Sequence, residues 1–310
     1  DVCSSDLERG IKMEKIKVAV IGAGGKMGTR TSNNLVTKFP DKFDVKLVET
    51  FPPAVERIEK ERGLKVTPVD EALAFADVVI FAVPDTLIKK LSAEYVPMLK
   101  PGTVFLILDP AAAVAKELTL RDDCTFGVAH PCHPSYFKWQ KEEEAYQDRF
   151  GGEGGHQDIV MSCIQGDEEK FKLAQETARC MYRADKAFVM TSEQIAFLEP
   201  TLVETLGATC CYAMAETVNE AVKRGIDREA AVSFLTGHVF NLTANFLGYL
   251  PGNPPVSDAC KVALEIGNHL VLRDDWKKIW DDELLRKVIA TMLHPETSQE
   301  NLGFDVKPQK

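Results

Sequence analysis

The chain has 310 residues, of which 45% are apolar and 27% charged, and its formal net charge is -10. That length exceeds one average compact domain and predicts two, while the acidic balance argues against nucleic acid as a partner, since such binding needs a concentrated basic stripe. No apolar run approaches the roughly 20 residues of a membrane span, and the eight cysteines form no C-x-x-C pair, which points to reduced thiols in a cytoplasmic protein rather than a disulfide frame or a cysteine zinc site.

Taken in chain order, the first twelve residues, "DVCSSDLERGIK", lack the apolar core and cleavage pattern of a secretory signal. They resemble a translated sequencing-library adapter followed by a translated ribosome-binding region, so residues 1–12 are expected to be a non-native or disordered leader, with the native chain starting at Met13. "KIKVAVIG" then reads as a strand buried on both faces, and "FDVKLVE", "DVVIFAVP", "TVFLILD" and "FGVAH" repeat the pattern between helical stretches such as "DTLIKKLSAEYVPML". This alternation predicts an α/β fold, an N-terminal Rossmann domain with a doubly wound parallel sheet over residues 13–190. Beyond that the chain reads as helix, with one long pattern interrupted only by Pro200 and stopped by Gly225. An all-helical domain for substrate binding and dimerisation is therefore expected over 191–310, with the long helix bridging the two.

The stretch "IGAGGKMG" follows the first strand directly. Gly22 and Gly24 suit a tight turn and the close approach of backbone to a pyrophosphate seated on the next helix N-terminus. Gly25, Lys26, Met27 and Gly28 complete a G-x-x-G-x-M-G variant of the dinucleotide fingerprint. Glu49 ends the next strand, 21 residues beyond Gly28, where a carboxylate accepts ribose hydroxyls and repels a 2′-phosphate. The nearest arginine, Arg57, lies well into the following helix, so NAD is preferred over NADP. Val83, Pro84 and Asp85 end another strand at the same crevice and are expected along the ribose and nicotinamide half of the cofactor.

"VAHPCHPSYF" places His130 and His133 on a proline-stiffened loop at the ligand edge of the sheet. Neutral imidazole there can act as a base or a metal ligand near pH 7. The bland reading is a pair of structural histidines.

"MGTRTSNNL", "FAVPD", "IVMSCIQGDEEKF" and "AETVNEAVKRGID" resemble stretches of the β-hydroxyacid and 6-phosphogluconate dehydrogenase superfamily. More narrowly, "IGAGGKMG", "AHPCHP" and "TSEQIAFLEPTLVET" resemble its D-apionate oxidoisomerase branch. The resemblance implies an NAD-dependent oxidoreductase acting on a small sugar acid, and a homodimer, which the apolar helical domain also suggests. Common superfamily members carry a lysine and an asparagine on the interdomain helix. Counting back from "AETVNEAVKRGID" puts those positions at Pro200 and at Val203 or Glu204, so neither residue type is present.

The same stretch carries acids instead. Glu193 and Glu204 are eleven residues apart, close to three α-helical turns, with Glu199 to one side. Together with His130, the carboxylates Glu193 and Glu199 could hold a divalent cation, with Glu204 catalytic or in its surround; the alternative is a set of solvated surface acids. Lys261 could anchor a substrate carboxylate or snorkel to the surface, and His238 stands in a similar balance. His133 is read as a supporting base. The other functional readings are a plain β-hydroxyacid dehydrogenase without rearrangement and a non-catalytic NAD-sensing protein.

Overall fold

The computed structural model describes residues 14–252 and 256–306, so the expected leader lies outside the described residues. Strands β1 (Ile16–Ile21), β2 (Phe43–Val48), β3 (Val78–Phe81), β4 (Val104–Ile107) and β5 (Thr125–Pro131) run parallel in the order β2-β1-β3-β4-β5. Every side chain of β3 and β4 is buried. A sheet covered by helices on both faces has no solvent side, so apolar residues follow one another there instead of alternating. Phe81, Phe105 and Phe126 stack across β3, β4 and β5, with ring centroids 4.9 and 5.6 Å apart. The order reverses at β1, between β2 and β3, which opens a crevice at the carboxyl ends of those strands.

Two further strands extend the sheet. β6 (Gln157–Gln165) runs antiparallel to β5, and β7 (Ala184–Val189) runs parallel to β6. The sheet is thus seven-stranded and mostly parallel, with an antiparallel step that alternation alone does not foretell.

Around it lie α1 (Lys26–Thr37), α2 (Pro52–Glu56), α3 (Val69–Phe75), α4 (Asp85–Tyr95), α5 (Ala111–Val114), α6 (Glu143–Gln147), α7 (Glu168–Tyr182) and α8 (Ser192–Ala196). α2 passes straight into a π-helical turn, Arg57–Glu61. α7 is started by the Asp167 carboxylate, which accepts from Lys170 N at 3.0 Å, and it turns Phe171, Ala174, Ala178 and Met181 into the core at helical spacing.

Residues up to Ile195 form one compact unit and those from Ala196 a second. Among the described residues the second unit is entirely helical: a π-helical segment Phe197–Ala208, then α9 (Thr209–Lys223), α10 (Arg228–Phe246), α11 (Asp258–Leu270), α12 (Asp282–Leu293) and α13 (Ser298–Leu302). Pro200 stands inside the π-helical segment, where its carbonyl accepts from Thr205 Oγ1 at 2.5 Å. A proline ring collides with the carbonyl one α-turn back, and a wider turn relieves the collision.

This corrects the expected face. Glu193 and Glu204 line up only if every residue between them turns by the α-helical angle, and from Phe197 onward the chain does not. Both are exposed.

α11 buries none of its residues, and Phe234 and Leu270 are 70% and 81% exposed. Lys261 is exposed as well, its Nζ 2.8 Å from Asp258 Oδ1 one turn back on the same helix. Within one chain it is a surface ion-pair partner, because the helix that carries it has no covered face. His238 Nδ1 likewise bonds the Phe234 carbonyl of its own helix at 2.7 Å. No helix among the described residues is long and apolar enough to cross a membrane, and no disulfide joins the described cysteines.

Candidate active site

The glycine loop fits a dinucleotide, and each glycine has its own reason. Gly22 has φ +77°, and a Cβ on it would meet the Ala82 carbonyl oxygen at 2.5 Å. A Cβ on Gly28 would lie 2.1 Å from the Gly22 oxygen, so helix and loop touch only because Gly28 has no side chain. A Cβ on Gly24 would meet the Ala54 side chain of α2 at 2.7 Å. The approach face is therefore that of Gly25, where a Cβ would meet only the Gly22 oxygen, at 3.4 Å; the sequence reading gave that role to Gly24. Gly25 also caps α1 without a side-chain bond, and the first turn of α1 carries no acid. The first N–H groups of a helix lack intrahelical partners, so such an end accepts a pyrophosphate readily.

Glu49 closes the ribose end. Its Oε2 accepts from Gly24 N at 3.1 Å, and its Oε1 accepts from Thr50 N and Phe51 N at 2.8 and 3.0 Å. These bonds fix the carboxylate beside the loop, and a carboxylate has about four lone-pair sites, so acceptor capacity remains for a ribose hydroxyl. Arg57 is a correction to the sequence reading. α2 has only five residues, and the Arg57 guanidinium folds back so that Nη2 donates to the Gly24 carbonyl at 2.9 Å. At the end of β3, Val83 reaches within 3.4 Å of the Gly22 Cβ position, so this strand end does border the loop; Pro84 and Asp85 begin α4.

Next along the crevice, β4 delivers Asp109 and β5 delivers His130. A carboxylate oxygen of Asp109 and a ring nitrogen of His130 lie within 4.8 Å of each other. Both are half-buried, and each is oriented by backbone. Asp109 Oδ1 accepts from Ala111 N at 2.8 Å, at the start of α5. His130 Nδ1 lies 2.7 Å from the Leu108 carbonyl, which can only accept, so Nδ1 carries a proton. A ligating histidine is usually oriented in this way, by donating its other N–H to a carbonyl or carboxylate. The donor set of one imidazole nitrogen and a carboxylate fits a divalent cation. Asp109 ends the strand pattern "TVFLILD" and carries no signal of its own in the sequence.

His133 is built into a different contact. It has φ +61°, a backbone state uncommon outside glycine, and its Nδ1 donates to the Phe150 carbonyl at 3.0 Å. The Phe150 ring also lies under Lys26 Nζ at 4.2 Å and Arg30 at 4.3 Å, so the histidine loop is tied to the nucleotide helix through one aromatic residue. Arg30 is buried and donates to Gln157 Oε1 at 2.7 Å.

The segment holding Phe150 is wrapped around Asp148, whose carboxylate accepts the backbone N–H groups of Gly151, Gly152, Glu153, Gly154 and Gly155 at 2.8 to 3.0 Å. Burial alone would raise its pKa, but these N–H groups, led by those of Gly154 and Gly155, prevail and hold it down at about 2. The contacts of Phe150 with Lys26 and Arg30 span more than a hundred residues of sequence, and no local pattern announces them.

Known proteins resemble this chain along most of its length. Residues 138–293 match the family model of the phosphogluconate dehydrogenase (decarboxylating) C-terminal region, and residues 12–126 match that of the acetohydroxy acid isomeroreductase NADPH-binding domain. A D-apionate oxidoisomerase of Blautia hydrogenotrophica is 72% identical over 93% of this chain and 100% of its own length. One of Cupriavidus necator is 42% identical over 89% of this chain and 98% of its own. Among solved structures, a semialdehyde dehydrogenase NAD-binding protein from Cupriavidus necator in complex with calcium and NAD superposes with a TM-score of 0.84 at 41% identity, covering 90% of this chain and 100% of that one. The chain belongs to the D-apionate oxidoisomerase branch of the β-hydroxyacid and 6-phosphogluconate dehydrogenase superfamily.

Proposed function

We propose that this chain is an NAD-dependent oxidoreductase that converts D-apionate to 3-oxoisoapionate, carried above all by the dinucleotide cradle of β1 and α1 standing beside the oriented Asp109–His130 pair. The 72% identical relative bears the name of that activity. NAD, when bound, supplies the acceptor for the hydride leaving the carbon of the hydroxyl next to the carboxylate. Asp109 and His130, with Glu193 adding a carboxylate, would hold a divalent cation, which would supply Lewis-acid polarisation of neighbouring substrate oxygens. Calcium accompanies NAD in the solved Cupriavidus structure, which supports this reading.

The protein's own groups divide the remaining work. Gly25, Lys26, Met27 and Gly28 seat the pyrophosphate at the start of α1, Glu49 accepts ribose hydroxyls, and Val83 with Pro84 walls the nicotinamide half. The 2-oxo acid that results from oxidation bears a neighbouring tertiary hydroxyl. Its proton passes to a base as a carbon group migrates with its bonding pair to the 2-oxo carbon, whose oxygen takes up a proton and becomes a hydroxyl, while the tertiary oxygen becomes a ketone; His133 is the residue assigned as that base. Carbon NMR of D-apionate incubated with enzyme and NAD is expected to report the rearranged ketone. An unrearranged 2-oxo acid would leave a plain dehydrogenase, and absence of nicotinamide reduction would leave an NAD-sensing protein.

The uncovered apolar residues of α10 and α11 favour a homodimer joined through the second unit, which would also give Lys261 a covered environment. Light scattering at micromolar concentration is expected to return twice the chain mass, and a monomer would reject the assembly.

A further inference from the structure

Glu49 and Arg57 converge on one residue of the glycine loop. Gly24 donates its N–H to the carboxylate at 3.1 Å and accepts from the guanidinium through its carbonyl at 2.9 Å. The two opposite charges are therefore anchored on the same residue, one through its N–H and the other through its carbonyl. They are not paired with each other: Glu49 is satisfied by three backbone N–H groups, and the contact of Arg57 is to a carbonyl, which leaves other N–H groups of its fork to reach an anion. Arg57 is exposed, so it can turn toward a ligand without leaving a buried charge behind.

We propose that Arg57 forms, with the backbone of Gly24, a latent 2′-phosphate subsite at the adenosine end of the cofactor, and that Glu49 alone keeps it closed to NADP. The inference rests on the dinucleotide reading of this cleft. Where Glu49 is ionised, a 2′-phosphate meets a fixed like charge that costs more than the nearby arginine returns, since the carboxylate is held in place by three N–H bonds while Arg57 is tethered by one. Neutralise the carboxylate and the balance inverts, because a guanidinium binds phosphate oxygens through charge-assisted, often bidentate, bonds. Arg57 is then a specificity-determining residue whose effect is masked in the unaltered chain, and NAD, which has no 2′-phosphate, makes little use of it.

Calorimetric titration of NAD and NADP into the full chain and its Glu49→Gln, Arg57→Ala and Glu49→Gln/Arg57→Ala variants tests this without turnover. The unaltered chain is expected to bind NAD at least about 100-fold tighter than NADP, and Glu49→Gln to bring the two within about tenfold. Adding Arg57→Ala to Glu49→Gln should then weaken NADP by about tenfold or more while changing NAD by less than about threefold. Glu49→Gln/Arg57→Lys, which keeps the charge, should retain part of the NADP binding, and thermal unfolding of each variant verifies that the loop still folds. Equal NADP affinity of Glu49→Gln with and without Arg57 overturns the subsite, as does an Arg57→Ala effect of equal size on both nucleotides. Failure of the unaltered chain to bind NAD would instead remove the dinucleotide reading itself.

Discussion

His130→Ala is expected to lower kcat/KM by about 1,000-fold, within the range for losing a positioned acid–base group or metal ligand. The Kd for NAD, measured by calorimetry, should stay within about threefold, because the nucleotide loop lies on β1 and α1 and His130 on β5. The asymmetry follows from what the residue touches. Its Nδ1 is committed to the Leu108 carbonyl at 2.7 Å, so the alanine loses the imidazole beside Asp109 and leaves one carbonyl without its donor. His130→Asn, which keeps a polar head, separates loss of the nitrogen ligand from a packing defect. Retained turnover in both variants would remove His130 from the chemistry and return the loop to a structural role.

Dialysis against a strong chelator should cost on the order of 100-fold in turnover, with recovery on adding a divalent cation in excess. Which cation restores it bears on the donor set. Calcium prefers oxygen ligands throughout, whereas an imidazole nitrogen favours zinc, nickel and iron, so a series of magnesium, calcium, nickel and zinc grades the contribution of His130. Asp109→Asn should shift the metal concentration needed for half recovery upward by about 10- to 100-fold while NAD binding holds. Full activity in excess chelator would reject the cation and return Glu193 and Glu199 to the surface-acid reading.

What the sequence discloses here is what depends on near neighbours. The glycine loop, the strand ahead of it and Glu49 are set by spacing within about forty residues, and a parallel sheet follows from the alternation of apolar runs with helical patterns along the chain. Glu193 and Glu204 fail because a facing argument assumes a constant turn angle, and Pro200 changes the turn from α to π. Arg57 is misjudged for the opposite reason: α2 ends so early that a side chain counted as distant lies over the loop. β7, with its mostly exposed residues, carries little apolar signal, and it joins the sheet because β6 offers it an edge. Asp109 is ordinary as a residue type and becomes informative only when β4 and β5 set it beside a histidine.

The Asp148 loop makes local order at residues 151–155 sensitive to acid. Four of the five residues donating to that carboxylate are glycines, which surrender the most backbone freedom on ordering, so the ionised carboxylate carries much of the loop's order, beside the bonds of Asn33 to the Gly152 carbonyl and of Arg183 to the Gly154 carbonyl. The native pKa, about 2, lies below the ordinary carboxylate value of roughly 3.9, so this stabilisation is complete above about pH 4 and drains away as pH falls through the native value. Amide protection at 151–155, corrected for intrinsic exchange, should therefore collapse over that interval while the amides of β3 and β4 stay protected. Unchanged protection at pH 2 would show that the glycines hold themselves. Because Phe150 hands this order on to His133 and Lys26, brief acid exposure should erase activity reversibly, as a loosened strap rather than a denatured enzyme.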